Sequence, residues 1–163
     1  MDFMRVTLIK ATAIIALGIS CSTTAADLPT RHVLTLQAAK LVIAAAEAEA
    51  MQKGWPCVIA VTDGAGYLIA LDRMDDSPML ASVELAPAKA RTAALFRKPS
   101  KALEDSIHSG RVAAVTSGFV EMAGGLPLTV NGETIGAIGV SSAQPDWDVQ
   151  IAAAGATALV GKP

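Results

Sequence analysis

The sequence has few aromatic residues and very few cysteines. Aromatic side chains make up only 4% of the 163 residues, although 52% are hydrophobic, so the apolar bulk is Ala, Val, Leu and Ile. A core built from small and branched side chains allows its layers to pack closely. Cys21 and Cys57 are the only cysteines. Cys57 opens the apolar run CVIAVT, which favours a buried hydrophobic role over a reactive thiol.

Clustered positive charge is also missing. The formal net charge is −2 and no basic tract occurs, which argues against nucleic acid as a partner, because clustered Lys and Arg are what neutralise phosphates. The dinucleotide fingerprint and the P-loop motif are both absent, as is the G-x-S-x-G nucleophile elbow. His32 and His108 are the only histidines. Neither histidine has another His or Cys at the sequence spacing that zinc ligands show, so no metal site is predicted.

No apolar run is long enough to cross a bilayer, which needs about 20 residues. The N-terminal run ATAIIALGIS follows the basic residues Arg5 and Lys10 and precedes the small residues TTAA. This order is typical of a secretory signal peptide. We therefore predict a signal peptide over residues 1–26, with cleavage after Ala26.

Removal of that leader would leave one domain, residues 27–163, in the periplasm or outside the cell. Cys57 would then be the only cysteine, so no internal disulfide could form. Lipid attachment at Cys21 is the alternative, although Leu17 lies one place too far from that cysteine for the lipoprotein pattern.

The first part of this domain is predicted to be a helix. In LTLQAAKLVIAAAEAEAMQKG, apolar residues recur at spacings of three and four. Thr35 is a suitable N-cap and Gly54 a suitable stop signal. The predicted buried face comprises Leu36, Ala39, Ile43, Ala46 and Ala50.

Two hairpins are predicted from turn residues between apolar runs. Residues 63–66, Asp-Gly-Ala-Gly, separate the first pair of strands, and Asn131-Gly132 separates the second pair. Asn-Gly is a strong hairpin signal because a type I′ turn needs positive φ at both positions. The strand after Cys57 is apolar on both faces and must be covered on both sides. We expect a helix on one side and a neighbouring subunit on the other.

Proline and glycine mark the remaining helices. A middle helix is expected to start at Ser77-Pro78, to kink or restart at Pro87 and to end at Pro99. A short helix follows, closed by Gly110, and the last helix starts near Pro145. Helices and hairpins without regular βαβ alternation predict an α+β fold with an antiparallel sheet.

One set of residues is a candidate anion pocket. Gly124 and Gly125 offer bare backbone, the last helix offers N–H groups at its start, and Lys89 offers positive charge. An ordinary surface or interface lysine is an equally weighted alternative. Ser141 and Ser142 are expected to satisfy free N–H groups at the entry to the last helix.

Asp146 and Asp148 lie in the first turn of the last helix. Carboxylates there complement the helix dipole, and we favour that role over metal ligation because residues two apart diverge on a helix. Asp148 is also a candidate acid or base beside the anion pocket.

Three motifs in this order resemble the GlcG/HbpS family. They are VTDGAGYLIALDRMD from Val61, KARTA from Lys89, and GGLPLTVNGETIGAIGVSSA from Gly124, followed by Asp148 and Ile151-Ala152. The resemblance covers about residues 34–159. Many members have GVSGG where this chain has GVSSA. The family implies a profilin-like fold with a five-stranded antiparallel sheet and flanking helices, and it implies homo-oligomers.

The resemblance also implies a function. It suggests an exported haem- or tetrapyrrole-binding protein in haem or iron handling or redox sensing, with His32 as the candidate axial ligand. One alternative is an enzyme or binding protein for a small carboxylate, held by Lys89, Gly124, Gly125, Ser141, Ser142 and Asp148. Another is a non-catalytic oligomeric module that contacts a membrane sensor protein.

Overall fold

The structure is a computed structural model and describes residues 26–159. Apart from Ala26, the predicted leader and Cys21 lie outside the described residues. Residues 31–159 belong to one compact unit. Among the helices that the structure describes, none is both long and apolar enough to span a bilayer.

Two pairs of consecutive strands lie between helices along the chain. The four strands that the structure describes form one antiparallel sheet with the order β2-β1-β4-β3. The predicted α+β class is therefore confirmed. The elements are α1 Leu36–Lys53, β1 Val58–Asp63, β2 Leu68–Arg73, α2 Ser82–Phe96, α3 Ser100–His108, a 3₁₀ segment Val112–Thr116, β3 Gly125–Val130, β4 Glu133–Ser141 and α4 Pro145–Thr157.

The sheet in residues 26–159 has four strands, so the expectation of five strands was wrong. The two hairpins account for all four. The chain between α3 and β3 does not add another strand, because Val112–Thr116 is a 3₁₀ turn and Gly118 bends the backbone with φ 79°. That segment also lacks the two-residue alternation that a half-buried strand shows.

Helices of the same chain cover both faces of the sheet. Ile59 and Ile138 belong to the core shared with α1 and α4. Their neighbours Ala60 and Ala137 belong to smaller clusters formed with α2. Since successive strand residues point to opposite faces, α2 lies on one face and α1 with α4 on the other. The expected subunit cover for β1 was therefore wrong, because α2 occupies that face.

Small residues set the distance between α2 and the sheet. A Cβ added at Gly139 would lie 2.5 Å from the Ala90 nitrogen and 3.0 Å from the Ala90 Cβ, and it would also collide with the Ala86 carbonyl. Gly139 is thus needed for close approach, which is a common reason for a glycine inside a strand. The scarcity of large side chains allows this tight layer.

The predicted caps and turns of α1 and the hairpins are confirmed. The Thr35 hydroxyl accepts a hydrogen bond from the Ala38 N–H, and Gly54 ends α1 in the left-handed conformation. Asn131 and Gly132 have φ values of 51° and 79°. On the predicted buried face of α1, however, Leu36 is 52% exposed, and Val42 is buried instead.

The middle helix differs from its prediction at two points. It begins at Ser82, not at Ser77, because the Ser82 N–H bonds to the Met79 carbonyl and closes a separate turn before the helix. Pro87 lies inside one continuous helix, so the restart that was one of the two expected outcomes at this residue was wrong, while the kink stays a prediction. The small residues packed against the sheet on either side of Pro87 hold the two halves together. The start of α3 at Ser100 is as expected.

Cys57 is fully buried and is a free thiol. Its sulfur lies 3.7 Å from the Met74 sulfur. Burial, with smaller contributions from Asp148 and Glu47, raises the pKa of Cys57 to about 12. The thiol is therefore protonated at neutral pH, as the buried hydrophobic interpretation requires.

We expect Gly139→Ala to destabilise the fold strongly. Overpacking typically costs about 1–3 kcal/mol, and this case lies at the upper end or beyond because the clashing atoms include backbone. Urea unfolding followed by circular dichroism measures the loss. Gly64→Ala is the matched control, since its added Cβ would meet ordinary contacts of 3.5 Å. Equal stability of the two variants would contradict the close-approach argument.

Candidate functional site

Two charged side chains from opposite faces of the sheet meet in the interior. Lys89 on α2 and Asp148 on α4 form an ion pair with 2.6 Å between Nζ and Oδ2, and each side chain is only 3% exposed. Lys89 also donates to the Val140 carbonyl at 3.1 Å. A buried charge is stable only when it is paired and hydrogen-bonded, and both partners meet that condition.

The pair can form because two glycines open the end of the sheet. A Cβ at Gly124, where φ is 113°, would lie 2.7 Å from both the Asp148 Cβ and the Val140 carbonyl oxygen. A Cβ at Gly125 would collide with the Lys89 carbonyl. The bare backbone expected at this dipeptide is present, and it makes room for the ion pair.

Ser142 completes the hydrogen bonding of Asp148. Its N–H and its hydroxyl donate to Asp148 Oδ1 at 2.7 and 2.6 Å. Burial raises the pKa of Asp148, and Lys89 and the two Ser142 donors oppose that rise. The dipole-complementing role therefore suits the exposed Asp146, whereas Asp148 is a buried partner of Lys89. The Ser142 hydroxyl thus supplies a second donor to Asp148 beside the backbone N–H.

The structure brings together most of the predicted anion-pocket residues. Lys89, Ser142 and Asp148 line a cavity of about 190 Å³, and Gly124 lies directly behind the pair. Ser141 is turned away, since its hydroxyl bonds to Ser82 on α2 at 3.1 Å. The remaining walls of this cavity are Met79, Glu104, Met122, Ala123, Ala143, Gln144 and Pro145.

The positive charge of Lys89 is already matched by Asp148. An incoming carboxylate would therefore meet a nearly neutral cavity floor, and the carboxylate-binding role stays a prediction. The sequence did not reveal the partner, because the two residues lie 59 positions apart and only the sheet brings their helices together.

A second hollow contains His32. Its Nδ1 lies 3.1 Å from Glu133 Oε2, and this hydrogen bond lowers the pKa of Glu133. A ring nitrogen that donates to a carboxylate leaves the other nitrogen with a free lone pair. Such a carboxylate also orients a histidine that ligates a metal.

Two arginines flank His32, and sequence reasoning did not identify them. Arg31 and Arg97 line the same hollow of about 240 Å³, together with the apolar residues Leu34 and Ile135. An adjoining hollow of about 370 Å³ shares both arginines. We call these two adjoining hollows the His32 groove. Within residues 26–159, no cluster of three or more His, Cys, Asp or Glu could hold a metal ion.

The fold and the family model agree on the class of this protein. Residues 26–159 form an antiparallel α+β domain with four strands and with helices on both faces of the sheet. A family model described as haem degrading protein HbpS-like matches residues 34–157, so the chain belongs to the HbpS-like family.

Known proteins of this family are similar in sequence and in structure. Protein GlcG of Escherichia coli K12 is 43% identical over 113 residues, covering 69% of this chain and 84% of GlcG. A double mutant of Streptomyces reticuli HbpS matches with TM-score 0.75 and 31% identity over 87% of this chain and 99% of HbpS. A PduOC:heme complex matches with TM-score 0.71 and 28% identity over 79% of this chain and 96% of that chain.

We expect the buried pair to be strongly coupled. Lys89→Met or Asp148→Asn alone should cost about 3–5 kcal/mol of unfolding free energy, because each leaves a buried charge or its donors without a partner. The double variant Lys89→Met/Asp148→Asn should recover much of that loss. Urea unfolding of all four proteins measures the coupling.

Lys101→Ala is the control for this cycle. Lys101 and Asp105 also form an ion pair, at 2.8 Å, but it is solvent-exposed. Its loss should leave the unfolding midpoint almost unchanged, since exposed pairs contribute little. Additive losses in the double variant at the buried site would show that the two buried side chains act independently.

Proposed function

We propose that this protein binds haem in the His32 groove. The observation that carries the proposal is that His32, held by Glu133, lies beside Arg31 and Arg97 in one groove. The proposal is supported by membership of the HbpS-like family and by the similar PduOC, which forms a haem complex.

The chemistry of the groove suits each part of a haem. Histidine is a common axial ligand of haem iron, and here Nε2 of His32 would take that role while Glu133 orients the ring. Arg31 and Arg97 would hold the propionates, because guanidinium groups bind carboxylates through paired hydrogen bonds. Haem supplies redox-active iron when it is bound.

Apolar surface is available for the porphyrin ring. Leu34 is 4% exposed and Ile135 is 8% exposed, and both line the groove. Val33, which is 77% exposed, also lines it and would lose contact with water on binding. Burial of such surface contributes roughly 25 cal/mol per Å². The buried Cys57 is unsuited as a thiolate ligand because its pKa is raised to about 12.

Haemin titration tests this proposal. We expect a Soret shift for the wild type and a weakened, altered spectrum for His32→Ala, because the axial nitrogen is lost. His108→Ala is the matched control: His108 is exposed at the end of α3 and its loss should change nothing. Arg31→Gln/Arg97→Gln should keep the axial spectrum but weaken affinity. A wild-type spectrum identical to free haemin would refute haem binding, and an unchanged His32→Ala spectrum would refute the ligand.

We also propose that the protein is exported, that it self-assembles, and that its assemblies contact a membrane sensor in haem or redox sensing. The leader pattern of residues 1–26 supports export. Tyr67, just before the edge strand β2, and Leu68, its first residue, are exposed large hydrophobic side chains, which supports assembly. The intact mass of protein isolated from the exported fraction should correspond to a chain that begins at Asp27. Size-exclusion chromatography with light scattering should show an oligomer. An uncleaved chain would contradict export, and a monomer would contradict self-assembly.

A further inference from the structure

A third cavity lies apart from the buried ion pair and from the His32 groove. It has a volume of about 210 Å³ and is formed where the end of α2, α3, the 3₁₀ segment and the following loop meet. Phe96, Leu103 and Ala114 provide its apolar wall. None of these residues takes part in the sites described above.

Glu121 in this cavity has an unsatisfied oxygen. The residue is 9% exposed, and its Oε1 accepts a hydrogen bond from the Ser117 hydroxyl at 2.9 Å. Oε2 is buried and has no hydrogen-bond partner among the described residues. A buried carboxylate oxygen without a donor carries an unfavourable desolvation cost, so the arrangement favours any group that brings a donor.

Two cations line the same cavity. Lys98 and Arg111 are both exposed, and in the described part of the chain neither forms an ion pair with an acidic side chain. Glu121 and these cations therefore offer opposite charges within one cavity. The apolar wall made by Phe96 and Leu103 belongs to the same space.

We propose that this cavity binds a small aliphatic zwitterion of the amino-acid class. The ligand's ammonium group would donate to the Glu121 carboxylate once that side chain turns its buried oxygen toward the cavity, and the ligand's carboxylate would bind Arg111 and Lys98 at the rim. Its short hydrocarbon part would lie against the apolar wall. Pockets for drug-sized ligands hold about 300–1,000 Å³, so a cavity of about 210 Å³ suits a smaller molecule.

Calorimetric titration with L-leucine, L-valine and 5-aminopentanoate tests the proposal. Two matched probes each lack one charge: 4-methylpentanoate has no ammonium group and 3-methylbutylamine has no carboxylate. We expect at least one of the three zwitterions to bind the wild type, and to bind more tightly than either single-charge probe. Hydrogen bonds to charged groups predict that Glu121→Gln weakens this binding about 10- to 100-fold.

Three further variants make the test specific. Arg111→Gln should also weaken zwitterion binding while leaving 3-methylbutylamine unaffected, because only the carboxylate contact is lost. Glu84→Gln, at an exposed acid on α2, should bind like the wild type. His32→Ala should retain zwitterion binding, so failure of haem binding and failure of this site are distinguishable.

Two results would overturn the inference. One is the absence of heat and of any thermal stabilisation with all three zwitterions at 10 mM, roughly the range of weak small-molecule binding. The other is equal affinity of the wild type and Glu121→Gln for a bound zwitterion, with circular dichroism showing both folded.

Discussion

The Lys89–Asp148 ion pair is the contact on which the three layers depend. It joins α2 on one face of the sheet to α4 on the other, and it passes the sheet where Gly124 and Gly125 lack side chains. Buried pairs add little net stability compared with apolar packing, but they strongly disfavour arrangements that separate the charges. The pair therefore specifies the position of α2 relative to α4, although the two helices lie on opposite faces of the sheet.

The close packing of the sheet supports that placement. Gly139 lets α2 approach until its backbone meets Ala86 and Ala90, and the short distance brings the Lys89 side chain within reach of the Val140 carbonyl. A bulkier interface would move the ammonium group away from its acceptors. The low aromatic content and the buried charge are thus linked: small side chains bring the layers near enough for a lysine to bridge them.

The charges of this protein fall into two physical groups. The buried pair is neutral overall and satisfied by Ser142 and the backbone. By contrast, Arg31, Arg97 and His32 line an accessible groove, and a histidine held by a carboxylate keeps one nitrogen for a ligand. Buried charges that are paired and hydrogen-bonded serve the fold, whereas accessible and partly satisfied groups have donors and acceptors left for binding. This distinction supports ligand binding at the sheet margins.

Local chemistry in the sequence determined the helix caps, the Asn131-Gly132 turn, the α+β class and the family, because each depends on neighbouring residues or on ordered motifs. The sequence also singled out Lys89, Gly124, Ser142 and Asp148, but as an anion pocket and a helix-dipole acid. Only the tertiary structure decided that Lys89 and Asp148 neutralise one another, that α2 takes the face expected for a subunit, and that Arg97 lines the same groove as His32. The physical reason is that these relations join residues far apart in the chain. Their distances are set by strand order and by the space that glycine leaves, and neither has a local sequence signal.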